Sequence, residues 1–128
     1  MRASAWPSAG RSAEFQGMRW KLATMYHDIE AGRGLLYRAC ATADPFPDPL
    51  LAATAKVYCN EMSVRVTSDA LQVFGGYGFT DEYLVSRLYR GARYGSLGGG
   101  TSETLRDLIG KRLMEADLPD GIFGLSDF

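Results

Sequence analysis

Apolar residues recur at alternating spacings of three and four over the first half of the chain, which predicts long amphipathic helices. Phe15, Met18, Leu22, Met25, Ile29 and Leu36 form one such line, with Gly32 as its small position. This line predicts a first helix over about 14–44, packed closely against an antiparallel neighbour. Pro45, Pro47 and Pro49 cannot continue it, so 44–48 reads as the turn. A second helix is predicted over 48–74, with Leu51, Ala55, Tyr58, Met62, Val66 and Leu71 near one side and Gly75-Gly76 as its C-cap. A third, over about 81–92, has Tyr83, Leu84, Leu88 and Tyr89 as its apolar contacts. A fourth starts at Thr101 or Ser102, either of which suits an N-cap, and runs to about Met114 with Leu105, Leu108, Ile109 and Leu113 inward. No strand pattern and no internal repeat emerges. The expected fold is all-α, an up-down bundle of about four helices over 14–114, with irregular segments at 1–13 and 115–128.

Composition narrows this little. The 128 residues suit one domain, and 46% hydrophobic with 23% charged residues is ordinary for a globular chain. A formal net charge of -1 argues against a nucleic-acid surface, which needs a surplus of Lys and Arg. No apolar run approaches the roughly 20 residues that span a bilayer. Cys40 and Cys59 form no C-x-x-C pair and read as buried free thiols in a reducing compartment, so a cytoplasmic location is expected.

Candidate chemistry concentrates in two glycine-rich breaks. In the first, Gln72, Val73 and Phe74 lead into Gly75, Gly76 and Gly78, where the backbone can turn sharply and approach a ligand. Taken alone, these residues favour a plainer reading: a helix C-cap and loop, with Tyr77 and Phe79 packing on the bundle. In the second, Gly98, Gly99 and Gly100 feed Thr101, Ser102 and Glu103, and a glycine loop entering a helix N-terminus suits an anionic ligand. Glu103 in a first helical turn also suits the dipole without any ligand. Gly95 and Gly100 have the spacing of a phosphate loop, but neither its lysine nor a preceding strand is present. His27, the single histidine, falls on the outer side of its helix and supports neither a triad nor a metal site. Arg87, Arg90 and Arg93 make a modest basic ridge leading to the second break.

The ordered set Gln72, Phe74, Gly75, Gly76, Gly78, Phe79, Glu82, Tyr83, Arg87, Tyr89, Arg90, Ala92, Gly100, Thr101, Ser102 and Glu103 resembles the C-terminal helical domain of the acyl-CoA dehydrogenase superfamily. The first helix is similar to the family's glutamine-led helix, so the resemblance covers about 14–114. It implies that Gln16, Gln72, Val73, Phe74, Gly75 and Gly76 contact the ADP part of FAD, often across a subunit interface. Thr101, Ser102 and Glu103 are then cofactor-binding near the last helix start, and Gly100 lies beside the acyl-CoA thioester. The implied reaction is α,β-dehydrogenation, with a carboxylate taking the α-proton and flavin the β-hydride.

Gly99 stands where many relatives carry the catalytic glutamate, and Gly91 replaces a family aspartate. Other relatives place the base on a helix before the matched region. The isolated chain is therefore expected to be inactive. Self-association, or pairing with a complementary acyl-CoA dehydrogenase chain, is expected along an apolar groove on the first two helices. Acyl-CoA binding is expected only in the full assembly. A non-enzymatic association module is the alternative, and a nucleotide sensor a third.

Overall fold

The computed structural model describes residues 15–115, and every regular element among them is helical. Four long helices and one short one follow in order: α1 (Gln16–Cys40), α2 (Pro49–Phe74), α3 (Gly76–Phe79), α4 (Leu84–Gly95) and α5 (Ser102–Glu115). The expected all-α architecture is present. Glu115, expected to open an irregular segment, is helical. Residues 1–14, including Glu14 of the expected first helix, and 116–128 lie outside the described residues.

α2 is the hub. It packs against α1, α4 and α5, while α3 bridges α2 and α4; other helix pairings are slight. Its residues are accordingly buried or half-buried nearly all round, with Ala53, Ala55 and Val57 innermost. Small side chains here let three helices approach one axis. Asp48 starts α2 as N-cap, its carboxylate accepting from the Leu51 N–H at 2.9 Å, with Pro49 at the first helical position.

α1 docks through only part of the line its apolar pattern suggests, keeping Met18, Met25 and Gly32. Met18, Lys21, Met25, Asp28, Gly32, Leu35 and Ala39 face α2, whereas Phe15, Leu22, Ile29 and Leu36 are exposed. Two of the inward positions are charged and paired: Lys21 with Asp69, and Asp28 with Arg65 Nε at 3.2 Å. Gly32 sits against Cys59 and Met62, where a Cβ would come within 2.9 Å of the Met62 methyl. The two helices are antiparallel, and these contacts bring the Gln16 end of α1 beside the Gln72 end of α2. α1 stops at Cys40 rather than continuing to Asp44, with Ala41 and Thr42 closing the last turn onto Tyr37 and Ala39.

On α4 the buried residues are Val85 and Ser86, and Tyr89 is half-buried; Leu84 and Leu88, expected inside, face outward. The helix starts at Leu84, with Tyr83 extended before it, rather than at Asp81, which accepts from Arg90 at 2.9 Å. Cys40 is exposed and only Cys59 is partly sheltered. Burial pushes the Cys59 thiol up from its ordinary value.

Candidate functional site

The second glycine break is held from α2. Lys56 donates to the carbonyl oxygens of Gly98 (2.9 Å), Gly99 and Gly100 (3.1 Å). One helical turn on, Asn60 Nδ2 donates to the Gly95 carbonyl at 2.7 Å. A Cβ on Gly95 would stand 2.8 Å from the Asn60 amide oxygen, so the loop lies flat on that face of α2. Gly99 and Gly100 both have positive φ, 64° and 92°.

These bonds fix the loop's polarity. In a trans peptide the C=O of one residue and the N–H of the next point in opposite directions. With the carbonyls of Gly98, Gly99 and Gly100 converging on Lys56, the N–H groups of Gly99, Gly100 and Thr101 face away from it. None of these three donates within the described residues. They lie at the entrance to α5, where Thr101 is the N-cap, its hydroxyl accepting from the Thr104 N–H at 3.3 Å.

Ser102 is buried, and its hydroxyl has no hydrogen-bond partner. Glu103 is exposed; its own backbone N–H and the Thr101 hydroxyl hold its carboxyl below the usual range. Arg106 ties α5 to α2 through Glu61 at 2.7 Å.

The first break is built without charge. Gly75, at φ 61° and ψ -145°, ends α2 and opens α3, its N–H bonding the Gln72 carbonyl at 3.1 Å. Gly78 is buried against the end of α2, where a Cβ would come within 2.8 Å of both the Leu71 carbonyl oxygen and the Phe74 Cβ. Phe74 and Tyr77 meet the Tyr83 ring edge-on at 6.0 and 5.9 Å. Gln16, Gln72, Gly75 and Gly76 are exposed at this end, and Val73 is half-buried.

The residues singled out from sequence therefore fall into two groups. Gln16, Gln72, Val73, Phe74, Gly75 and Gly76 gather at one end of the α1–α2 pair. Gly99, Gly100, Thr101, Ser102 and Glu103 lie beside Lys56. Sixteen residues of α2 separate Lys56 from Gln72, roughly 24 Å of helix axis at 1.5 Å per residue. Two shallow hollows, of about 290 Å³ at Asp48, Pro49, Leu50, Arg112 and Glu115 and about 410 Å³ along α5, contain none of these residues. Among the described residues no three His, Cys, Asp or Glu side chains converge, and no helix is long and apolar enough to cross a membrane.

Sequence reasoning missed Lys56 and Asn60. The available signal was a lone cation inside the Ala-rich, most buried stretch of α2, with a polar amide four residues later on the same face.

Residues 3–114 match the family described as "Acyl-CoA dehydrogenase, C-terminal domain". The chain belongs to the acyl-CoA dehydrogenase family. A 3-sulfinopropanoyl-CoA desulfinase of Variovorax paradoxus is 41% identical over 107 residues, covering 84% of this chain and 27% of that protein. A short-chain specific acyl-CoA dehydrogenase of Megasphaera elsdenii is 39% identical over 102 residues, covering 79% of this chain and 27% of that protein. The solved butyryl-CoA dehydrogenase of Megasphaera elsdenii superposes with a TM-score of 0.76 at 36% identity, covering 89% of this chain and 29% of that one. The chain thus spans about a quarter of the length of these curated relatives.

Proposed function

We propose that this chain serves as the cofactor-holding helical domain of an FAD-dependent flavoprotein acting on acyl-CoA thioesters. The observation that carries this reading is the joint presence, in family order, of two separate ligand-competent ends on one helix. One is the exposed Gln72 to Gly76 turn. The other is the outward N–H row of Gly99, Gly100 and Thr101 at the start of α5. Relatives named for 3-sulfinopropanoyl-CoA and for short-chain acyl-CoA share the acyl-CoA thioester, and this is the substrate class we assign.

In this reading Gln16, Gln72, Val73, Phe74, Gly75 and Gly76 receive the ADP part of FAD. Thr101, Ser102 and Glu103 border the cofactor at the other end, and Gly100 lies beside the thioester. The resemblance to a family that often holds the ADP part across a subunit interface supports two chains sharing each FAD, with the two ends roughly 24 Å apart along α2. The fit to FAD is that of two half-sites, supported by the unpartnered Ser102 hydroxyl on one side and the open Gly75-Gly76 backbone on the other. When bound, the flavin supplies hydride acceptance from the β-carbon.

Gly99 offers no proton acceptor, and a side chain at its φ of 64° would emerge toward Lys56, whose amine lies 3.2 Å from the Cβ position. The α-proton therefore leaves to a carboxylate at a position other than 99. The cytoplasm is the compartment we assign, in keeping with two unpaired cysteines.

A second reading rests on one specific feature, the exposed apolar line Phe15, Leu22, Ile29 and Leu36 along α1. It supports an association module that pairs with itself or with a complementary flavoprotein chain. A thermal melt separates the two. Saturating FAD is expected to raise the melting temperature, since a ligand at about 100 times its Kd adds about 2.7 kcal/mol to a state it alone binds. An unchanged melt up to millimolar FAD contradicts the cofactor reading and leaves the association module.

A further inference from the structure

We propose that Lys56 is a positioning residue for the 98–103 loop, a tethered cation whose ammonium fixes the direction of three consecutive peptide groups. An ammonium has three donors, and Lys56 places one on each of the Gly98, Gly99 and Gly100 carbonyls. No carboxylate competes for it among its bonds. Three carbonyl dipoles aimed at one point repel one another unless a positive charge sits at their focus.

The loop cannot hold that arrangement by itself. Glycine is the residue with the most conformational freedom to lose, and two of these three occupy positive φ. The anchor in turn is rigid, because Lys56 sits on the helix that contacts all the others, between the buried Ala55 and Val57. Fixing the carbonyls inward fixes the N–H groups of Gly99, Gly100 and Thr101 outward. Lys56 thus acts on the ligand-facing side of the loop without touching it. Arginine is not equivalent: its planar fork directs donors along fixed lines and cannot converge them on three successive carbonyls.

The consequence for ligand binding rests on the reading under Proposed function, but the clamp itself is testable with no ligand present. In the wild-type chain, the Lys56 ammonium protons, held on three carbonyls, should exchange with water roughly tenfold slower than those of the exposed Lys111, which gives one donor to Asp107 and leaves the others to water. Equal exchange overturns the proposal whatever the variants do.

Backbone order parameters then test the geometry. In Lys56→Met, which keeps the stem and removes the charge, Gly99, Gly100 and Thr101 should fall from about 0.85 to below about 0.6. Gly75 and Gly78, at the far end of α2, should not change. Lys56→Arg should loosen the same three residues, and Lys56→Ala should recover order when propylammonium supplies the missing amine and stem. Unchanged loop order in Lys56→Met, or equal loosening at Gly75 and Gly78, contradicts the clamp. If Lys56 controls loop order but FAD and butyryl-CoA leave the wild-type Gly99, Gly100 and Thr101 resonances unmoved, the clamp stands and the ligand reading fails alone.

Discussion

The two glycine breaks have similar composition and opposite construction. At 75–79 the glycines are needed because backbone comes too close: Gly78 is pressed on Leu71 and Phe74, and Gly75 takes a φ/ψ pair that a side chain strains. At 95–101 a charge also pulls: Lys56 draws three carbonyls inward, and Asn60 holds a fourth. Glycine is needed there at 99 and 100 for their positive φ, and at 95 and 98 because a Cβ would come within 2.8 Å of the Asn60 and Tyr94 side chains. One is a steric joint between helices, and the other is an electrostatic mount for a helix N-terminus. Runs of glycine thus carry different physics depending on what the neighbouring helix offers, and in both cases that helix is α2.

Substitutions can separate the two. The largest effect is expected at the steric joint. Gly78→Ala forces a methyl into 2.8 Å contacts with backbone and Cβ, and should cost about 2–3 kcal/mol, read as a melting temperature lowered by roughly 10 °C or more. A loss below about 0.5 kcal/mol, the usual range of neutral surface changes, would mean the joint gives way easily.

Gly99→Ala comes next. Its left-handed φ of 64° makes a Cβ cost about 1–2 kcal/mol, measured by urea unfolding. Asn60→Ala leaves the Gly95 carbonyl without its amide partner and should cost about 1 kcal/mol; it should disturb 95–101 and leave 75–79 unchanged.

The smallest effects concern acid. The Asp81 carboxyl is held low chiefly by its bond and charge interaction with Arg90, and that of Glu103 by its own backbone N–H and then Thr101. Both are depressed, so each contributes stability that is present above its unfolded value and lost as pH falls through its folded value. Carboxyl resonances followed below about pH 4 should show Arg90→Met raising the Asp81 titration and leaving Glu103 alone. Thr101→Val should do the reverse.

The fold was largely legible in the sequence because its punctuation is strong. The Pro45, Pro47 and Pro49 cluster, the Gly75-Gly76 pair and the Thr101 cap mark helix ends that recur in the structure within a few residues. The face of α1 was partly misread for a physical reason. Its inward line contains Lys21 and Asp28, which are satisfied by Asp69 and Arg65 across the pair, while the more apolar line Phe15, Leu22, Ile29 and Leu36 stays exposed. Hydrophobic pattern alone cannot foresee a helix pair zipped partly by ions.

The candidate residues themselves were found from glycine spacing and family order. What sequence could not give was their division between two ends of α2, because motifs 23 residues apart in the chain, Gly76 against Gly99, carry no distance. Lys56 escaped for the same reason: its three partners lie 42 to 44 residues away.

The most direct test of the central claim is sedimentation of the purified chain with added FAD, followed at a flavin wavelength and at a protein wavelength together. If the two ends of α2 are half-sites of a shared cofactor, flavin absorbance will travel only with species of at least twice the 14.0 kDa chain mass. Flavin travelling with a single 14.0 kDa chain, or with no protein species at all, would contradict it.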